Sequence, residues 1–185
     1  MSAVFNQKTL FALVVLGLAP VVAHAAESDS PPIMEYLTTG QLAEGREAMT
    51  ATLKTSPEDQ QARFSLGVVQ FLESVEGLAQ SHYRYGLLQN RFRQMPFIRL
   101  PVPLNAEPET ISYESARQIL QEFIDDLSEA EATLAKVETD NVKLPLHFGR
   151  IRLDLDGDGT ATKEETLWRI FQLLNGAVRQ EDGEA

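Results

Sequence analysis

The chain has 185 residues, 43% of them hydrophobic and 23% charged, with a formal net charge of −11. That supply of apolar side chains suits one domain with a packed core and excludes a disordered polymer. The acidity excludes nucleic acid and anionic membrane surfaces as partners, and favours cations or basic patches on other proteins.

Residues 1–25 combine Lys8, the apolar run TLFALVVLGLAPVVA and the small residues of Ala23-His24-Ala25. This is the three-part pattern of a secretory signal peptide, with cleavage expected after Ala25. An uncleaved anchor is the alternative. The run 10–23 is shorter than the about 20 residues a spanning helix needs, and Pro20 interrupts it, so cleavage is preferred and no span is expected to remain. The chain has no cysteine. An exported protein of this kind cannot use disulfide staples, thiol catalysis or thiolate zinc sites, and must be held by its core, by metal, or by both. Export without cysteine points to a periplasmic or secreted location, in a bacterial cell envelope.

Residues 26–38, including ESDSPP at 27–32, read as a mobile leader, and 39–140 as a helical domain. Its first helix should end near Thr55, with a restart after Pro57. In the second helix Ala62, Leu66, Val69, Leu72 and Val75 recur every three or four residues, a stripe of helical period. Gly77 and Gly86 should weaken its second half.

The residues Ala48, Leu53, Pro57, Ala62, Phe64, Leu66 and Gly67 resemble the junction between two tetratricopeptide repeats, over about residues 40–72. Such repeats bury a continuous core only when three or more are stacked, so a full solenoid is not expected. The resemblance implies recognition of a protein or peptide. The same stretch also reads as a plain antiparallel helix pair with a proline turn.

Residues 89–110 break the helical pattern. Pro96, Pro101, Pro103 and Pro108 favour extended chain, while Phe92, Met95, Phe97, Ile98, Leu100, Val102 and Leu104 are too apolar for a solvated linker. Arg84, Arg91, Arg93 and Arg99 concentrate positive charge there. The segment is expected to be a strap closing the helical core, or else a recognition surface for an anionic or extended envelope partner. A long amphipathic helix follows over 112–137, capped by Ser112. Its apolar face is Ala116, Ile119, Leu120, Phe123, Ile124, Leu127, Ala130 and Leu134, with Glu122, Asp125, Asp126 and Glu129 on a wetted face.

In 143–156 the period changes to two: Leu144, Leu146 and Phe148 alternate, then Ile151, Leu153 and Leu155. That argues for extended chain, with a bulge at Gly149. The stretch KEETLWRIFQLLNG then reads as a helix with Leu167, Ile170, Phe171 and Leu174 on one face and Gly176 as its C-cap.

Between them lies DLDGDGTATKEE, residues 154–165. Asp154, Asp156, Asp158 and Gly159 fill positions 1, 3, 5 and 6 of the pattern D-x-[DN]-x-[DN]-G-x5-E, and Glu165 fills position 12. The match resembles the calcium loop of the EF-hand family over these residues and the helix that leaves them. Ca2+ takes six to eight oxygens, a shell no single side chain can supply. The resemblance implies carboxylate ligands at Asp154, Asp156 and Asp158, a backbone carbonyl at Thr160, and Thr162 through its hydroxyl or a water. Glu165 should give both oxygens from the first turn of the outgoing helix, with Thr162 as that helix's cap. The chain departs from the family in having no incoming helix, no second loop, and Ala161 where a branched apolar residue usually bridges to a partner loop. An unpaired loop bears its ordering cost alone, so a Kd of about 10⁻⁴–10⁻³ M is expected, with poor competition by Mg2+.

No HExxH, GxSxG, phosphate-binding loop or dinucleotide fingerprint occurs. His82 and Tyr83 near the strap are the best candidates for an enzymatic site, although no catalytic motif supports one. The expected fold is mainly α, a small helical bundle of a repeat-like helix pair and a long amphipathic helix. A single EF-hand-like unit at 141–180 should pack on it. The preferred function is an exported calcium-binding protein with a binding or structural role in the envelope. The alternative is a repeat-like interaction adaptor in which calcium is only structural.

Overall fold

The computed structural model describes residues 33–87 and 100–172. The expected signal peptide, the start of the leader, the arginines at 91, 93 and 99, and the end of the last helix with Leu174 and Gly176 lie outside the described residues. The described chain is mainly helical: α1 (Ile33–Thr39), α2 (Leu42–Thr55), α3 (Gln60–Arg84) and α4 (Tyr113–Leu134), with a final helix α5 described over 167–172. Among the described residues no helix is long and apolar enough to cross a membrane.

The leader assigned to 26–38 gives way to helix at its end. Ile33 and Leu37, one turn apart, are both buried, and burying two such side chains stabilises the turn by roughly 1.5–3 kcal/mol each. Gly40 and Gln41 then turn the chain into α2, which ends at Thr55. The restart at α3 is set by Asp59, whose side chain accepts the Ala62 N–H at 2.8 Å, a helix N-cap. The stripe Ala62, Leu66, Val69 and Leu72 is buried as its period requires, with Val75 packed at its edge. α3 is continuous through Gly77 and runs on to Arg84, with Leu78, Ala79 and His82 carrying its buried face past the glycine.

α4 begins after Ser112, whose hydroxyl accepts the Ser115 N–H. It lies against α3, where Gly67 permits close approach: a Cβ built there would fall 2.5 Å from Leu134 Cγ. The acidic face of α4 is exposed, and it also carries a tie to its neighbours. Glu129 receives hydrogen bonds from Arg46 of α2 at 2.6 Å and from Gln70 of α3 at 2.9 Å, so it ties three helices together. Conversely Leu120 and Ile124 of the expected apolar face are about half exposed.

The described part of the strap, from Leu100, is extended. Leu100 is buried and Val102 packs on the core. Asn105 donates to the carbonyl of Tyr83, and the Glu109 N–H donates to the carbonyl of Arg84. Arg84 is therefore no free charge of the strap. It sits in the last turn of α3 and pairs with Glu109 at 2.8 Å.

The C-terminal ribbon joins the same core. Ile151, Leu153 and Leu155 are at most 1% exposed and, with Ile170, belong to the cluster formed by Leu37, Leu42, Met49, Val69 and Leu72. Of the alternating residues at 144–148 only Leu144 packs on this core. Leu146 and Phe148 stay over a third exposed, and 148–150 form a turn rather than a bulged strand. The ribbon makes one isolated antiparallel bridge, Arg152 with Thr166.

Candidate functional site

The ribbon's period of two places its core residues on one side and Arg152, Asp154 and Asp156, all half-buried, on the other. From Asp154 the chain folds back on itself through its own carboxylates. Asp154 Oδ1 accepts the Gly157 N–H at 2.8 Å, and Oδ2 accepts the Gly159 N–H at 2.9 Å. Asp156 accepts from the Asp158 N–H, and Asp158 from the Thr160 N–H. Gly159 makes the tight turn at φ +86°, a left-handed backbone that a side chain would strain. The result brings one carboxylate oxygen each of Asp154, Asp156 and Asp158 within 4.8 Å of one another.

Glu165 closes the loop and is 8% exposed. Its Oε1 accepts the Leu155 N–H at 3.0 Å, and its Oε2 accepts both the N–H and the hydroxyl of Thr162. These bonds differ from the expected helix start. Glu165 lies before the helix, which begins at 167. The cause is backbone pairing: the Leu153 N–H donates to the Glu165 carbonyl and the Leu167 N–H to the Ile151 carbonyl. That pairing holds 165–166 extended, so Thr162 serves Glu165 and does not cap α5.

Two other segments hold the loop. The Arg152 N–H donates to the Leu37 carbonyl at 2.9 Å, and the α1–α2 turn presses on Ala161. A Cβ built on Gly40, at φ +76°, would fall 2.1 Å from the Ala161 Cβ. Ala161 thus packs against this turn, and the absence of a side chain at Gly40 leaves room for its methyl group. From α3, Glu76 Oε2 accepts the Asp154 N–H at 2.7 Å, and Gln80 Nε2 donates to the Asp154 carbonyl at 2.9 Å. Reading the sequence missed both residues. Their spacing with Gln70 and Glu73 marks a polar stripe on α3, but nothing local says what that stripe touches.

The electrostatics are those of crowded acids. Burial pushes the Glu76 carboxyl up to about 7, opposed by the Asp154 N–H and reinforced by the charges of Asp154, Glu73 and Glu165. Asp156 is raised too, first by its removal from water, then by Glu165, Asp158 and Asp154. An open cleft of about 710 Å³ flanks the loop between Pro101–Pro103 and Arg169, with Asp156, Thr162 and Glu165 on its wall.

His82 is 4% exposed and burial lowers its basicity. Tyr83 lines a separate cleft of about 400 Å³ with Arg84, Asn105 and Glu109, in which His82 has no part.

Comparison of the chain with protein-family models, with curated proteins and with solved structures finds no match.

Proposed function

We propose that this chain is an exported calcium-binding protein in which one Ca2+, held by the loop Asp154–Glu165, ties the C-terminal ribbon to the helical body and serves a structural or binding role in the cell envelope. The observation that carries the reading is the convergence of three carboxylate oxygens within 4.8 Å on a loop already folded by its own hydrogen bonds. The donors suit the ion. Asp154, Asp156 and Asp158 would hold it through carboxylates, Thr160 through its carbonyl, Thr162 through its hydroxyl or a water, and Glu165 through its carboxylate. All are hard oxygen ligands, which Ca2+ prefers, whereas softer metals favour nitrogen and sulfur.

What the ion would supply is charge. Burial and the charges of Asp154 and Glu165 raise the cost of ionising both Glu76 and Asp156, and a divalent cation beside them offsets that repulsion. The neighbouring cleft gives it a path from solvent. Calorimetric titration with CaCl2 tests the reading on the wild type and on an Asp154→Ala, Glu165→Ala double variant. One site with a Kd of about 10⁻⁴–10⁻³ M is expected for the wild type and no binding for the variant. A wild type without a calcium-dependent signal under these conditions refutes it.

A further inference from the structure

α3 grips the first residue of the loop by both of its backbone groups. The Asp154 N–H donates to Glu76 at 2.7 Å and the Asp154 carbonyl accepts from Gln80 at 2.9 Å. Glu76 and Gln80 are four residues apart and hence neighbours on one helix face. The stem of Gln80 also lies under Gly157, at 3.6 Å from a Cβ built there. We propose that Glu76 and Gln80 are positioning residues for the cation site, which fix Asp154 in register without touching the ion.

The inference rests on the calcium reading above and adds a determinant of affinity that is distant in sequence. The chain lacks an incoming helix before Asp154, since 148–150 are a turn and 151–156 a ribbon. A helix in that place would hold position 1 of the loop by continuous backbone. Here the ribbon alone leaves the N–H and carbonyl of Asp154 to be satisfied from elsewhere, and α3 satisfies both. Groups outside a metal's ligand shell that orient the ligands typically contribute 10–100-fold to affinity. Gln80 is neutral, so its effect is geometric. Glu76 adds charge as well, which makes the pair separable.

The test titrates CaCl2 into the full mature chain and its Gln80→Ala, Glu76→Ala and Glu76→Gln variants by calorimetry. It also follows hydrogen exchange at the Asp154 amide in chelator. Gln80→Ala and Glu76→Ala should each raise Kd about tenfold. Glu76→Gln keeps an acceptor for the Asp154 N–H and should recover most of the loss, which a purely structural or purely electrostatic role for Glu76 does not predict. Exchange at Asp154 should quicken in Glu76→Ala and not in Glu76→Gln. A Kd within twofold of wild type in both alanine variants overturns the inference and leaves the calcium reading standing. A wild type that binds no calcium overturns both. Should Glu76→Ala fail to fold by circular dichroism, Gln80→Ala and Glu76→Gln decide: wild-type affinity in Gln80→Ala overturns the inference, and a tenfold loss there sustains it.

Discussion

Replacing Gly40 with alanine is the most direct way to lift the α1–α2 turn off the acidic loop. Gly40 sits at φ +76°, where a residue with a Cβ costs about 1–2 kcal/mol. The new Cβ would also stand 2.1 Å from Ala161 Cβ and 3.4 Å from Arg152 Cβ. The first contact is impossible without movement, and overpacking of this kind costs about 1–3 kcal/mol. Together the variant should lose about 2–5 kcal/mol, a large share of the about 5–15 kcal/mol that holds a domain folded. For a chain of this size each kcal/mol moves Tm by about 2–4 °C, so calorimetry in chelator should show a fall of about 4–20 °C. Ala161→Gly added to Gly40→Ala should restore the share due to the clash and leave the share due to backbone strain. The control is Gly77→Ala. A Cβ there meets nothing within 4 Å, and alanine in an exposed helix interior should stabilise by about 0.5–1 kcal/mol. If Gly40→Ala melted within 1 °C of wild type, the turn could not be seated on Ala161, and the packing described for the loop would be wrong.

Further outcomes can be stated. Saturation with calcium at one hundred times its Kd should stabilise the wild type by about 2.7 kcal/mol, and Asp154→Ala should show no calcium-dependent shift in Tm. Glu165→Gln keeps the size of the side chain but puts an amide NH2 where the Leu155 or Thr162 N–H also points; in chelator it should lose about 1.5–3 kcal/mol by denaturant unfolding. Gly67→Ala meets Leu134 side-chain atoms at 2.5–2.6 Å and should cost about 1–3 kcal/mol without altering calcium affinity. His82 is buried and its folded-state pKa lies below the ordinary value. The unfolded chain therefore takes up the His82 proton first as pH falls through about 6.5, so the contribution of His82 is intact above that value and declines below it. Glu76, raised to about 7, acts in the opposite sense over the same range. The His82 contribution is therefore read as the difference between wild type and His82→Gln: urea midpoints from pH 8 to pH 5 should fall more, or rise less, in the wild type than in the variant.

Much of the helical architecture was legible because helices are specified locally. Asp59 with Ala62 and Ser112 with Ser115 are caps within four residues of sequence, and the stripe of α3 declares its buried face by period alone. The aspartates of the loop were legible for the same reason: Asp154 bonds to residues three and five positions ahead. Helix α1 was hidden because seven residues carry too few turns to show a period, and only its contacts with the core reveal Ile33 and Leu37 as buried. Glu76 and Gln80 were hidden because their partner is 78 and 74 residues away. The late start of α5 escaped because Leu153 and Ile151, from the preceding ribbon, compete for the backbone at 165 and 167. Alternation in 144–148 reported extended chain but not which of its side chains a surface would cover: Leu144 packs on the core while Leu146 and Phe148 stay outside it.

The ribbon 151–156 meshes like a zip whose teeth are of two kinds, oily ones seated among the helices and charged ones, Arg152, Asp154 and Asp156, at the rim. Deleting a single residue between Ile151 and Asp156 would exchange the two sets and drive carboxylates inward. Removing two would shorten the zip yet keep its parity. The spacing of this short stretch is thus under a counting constraint.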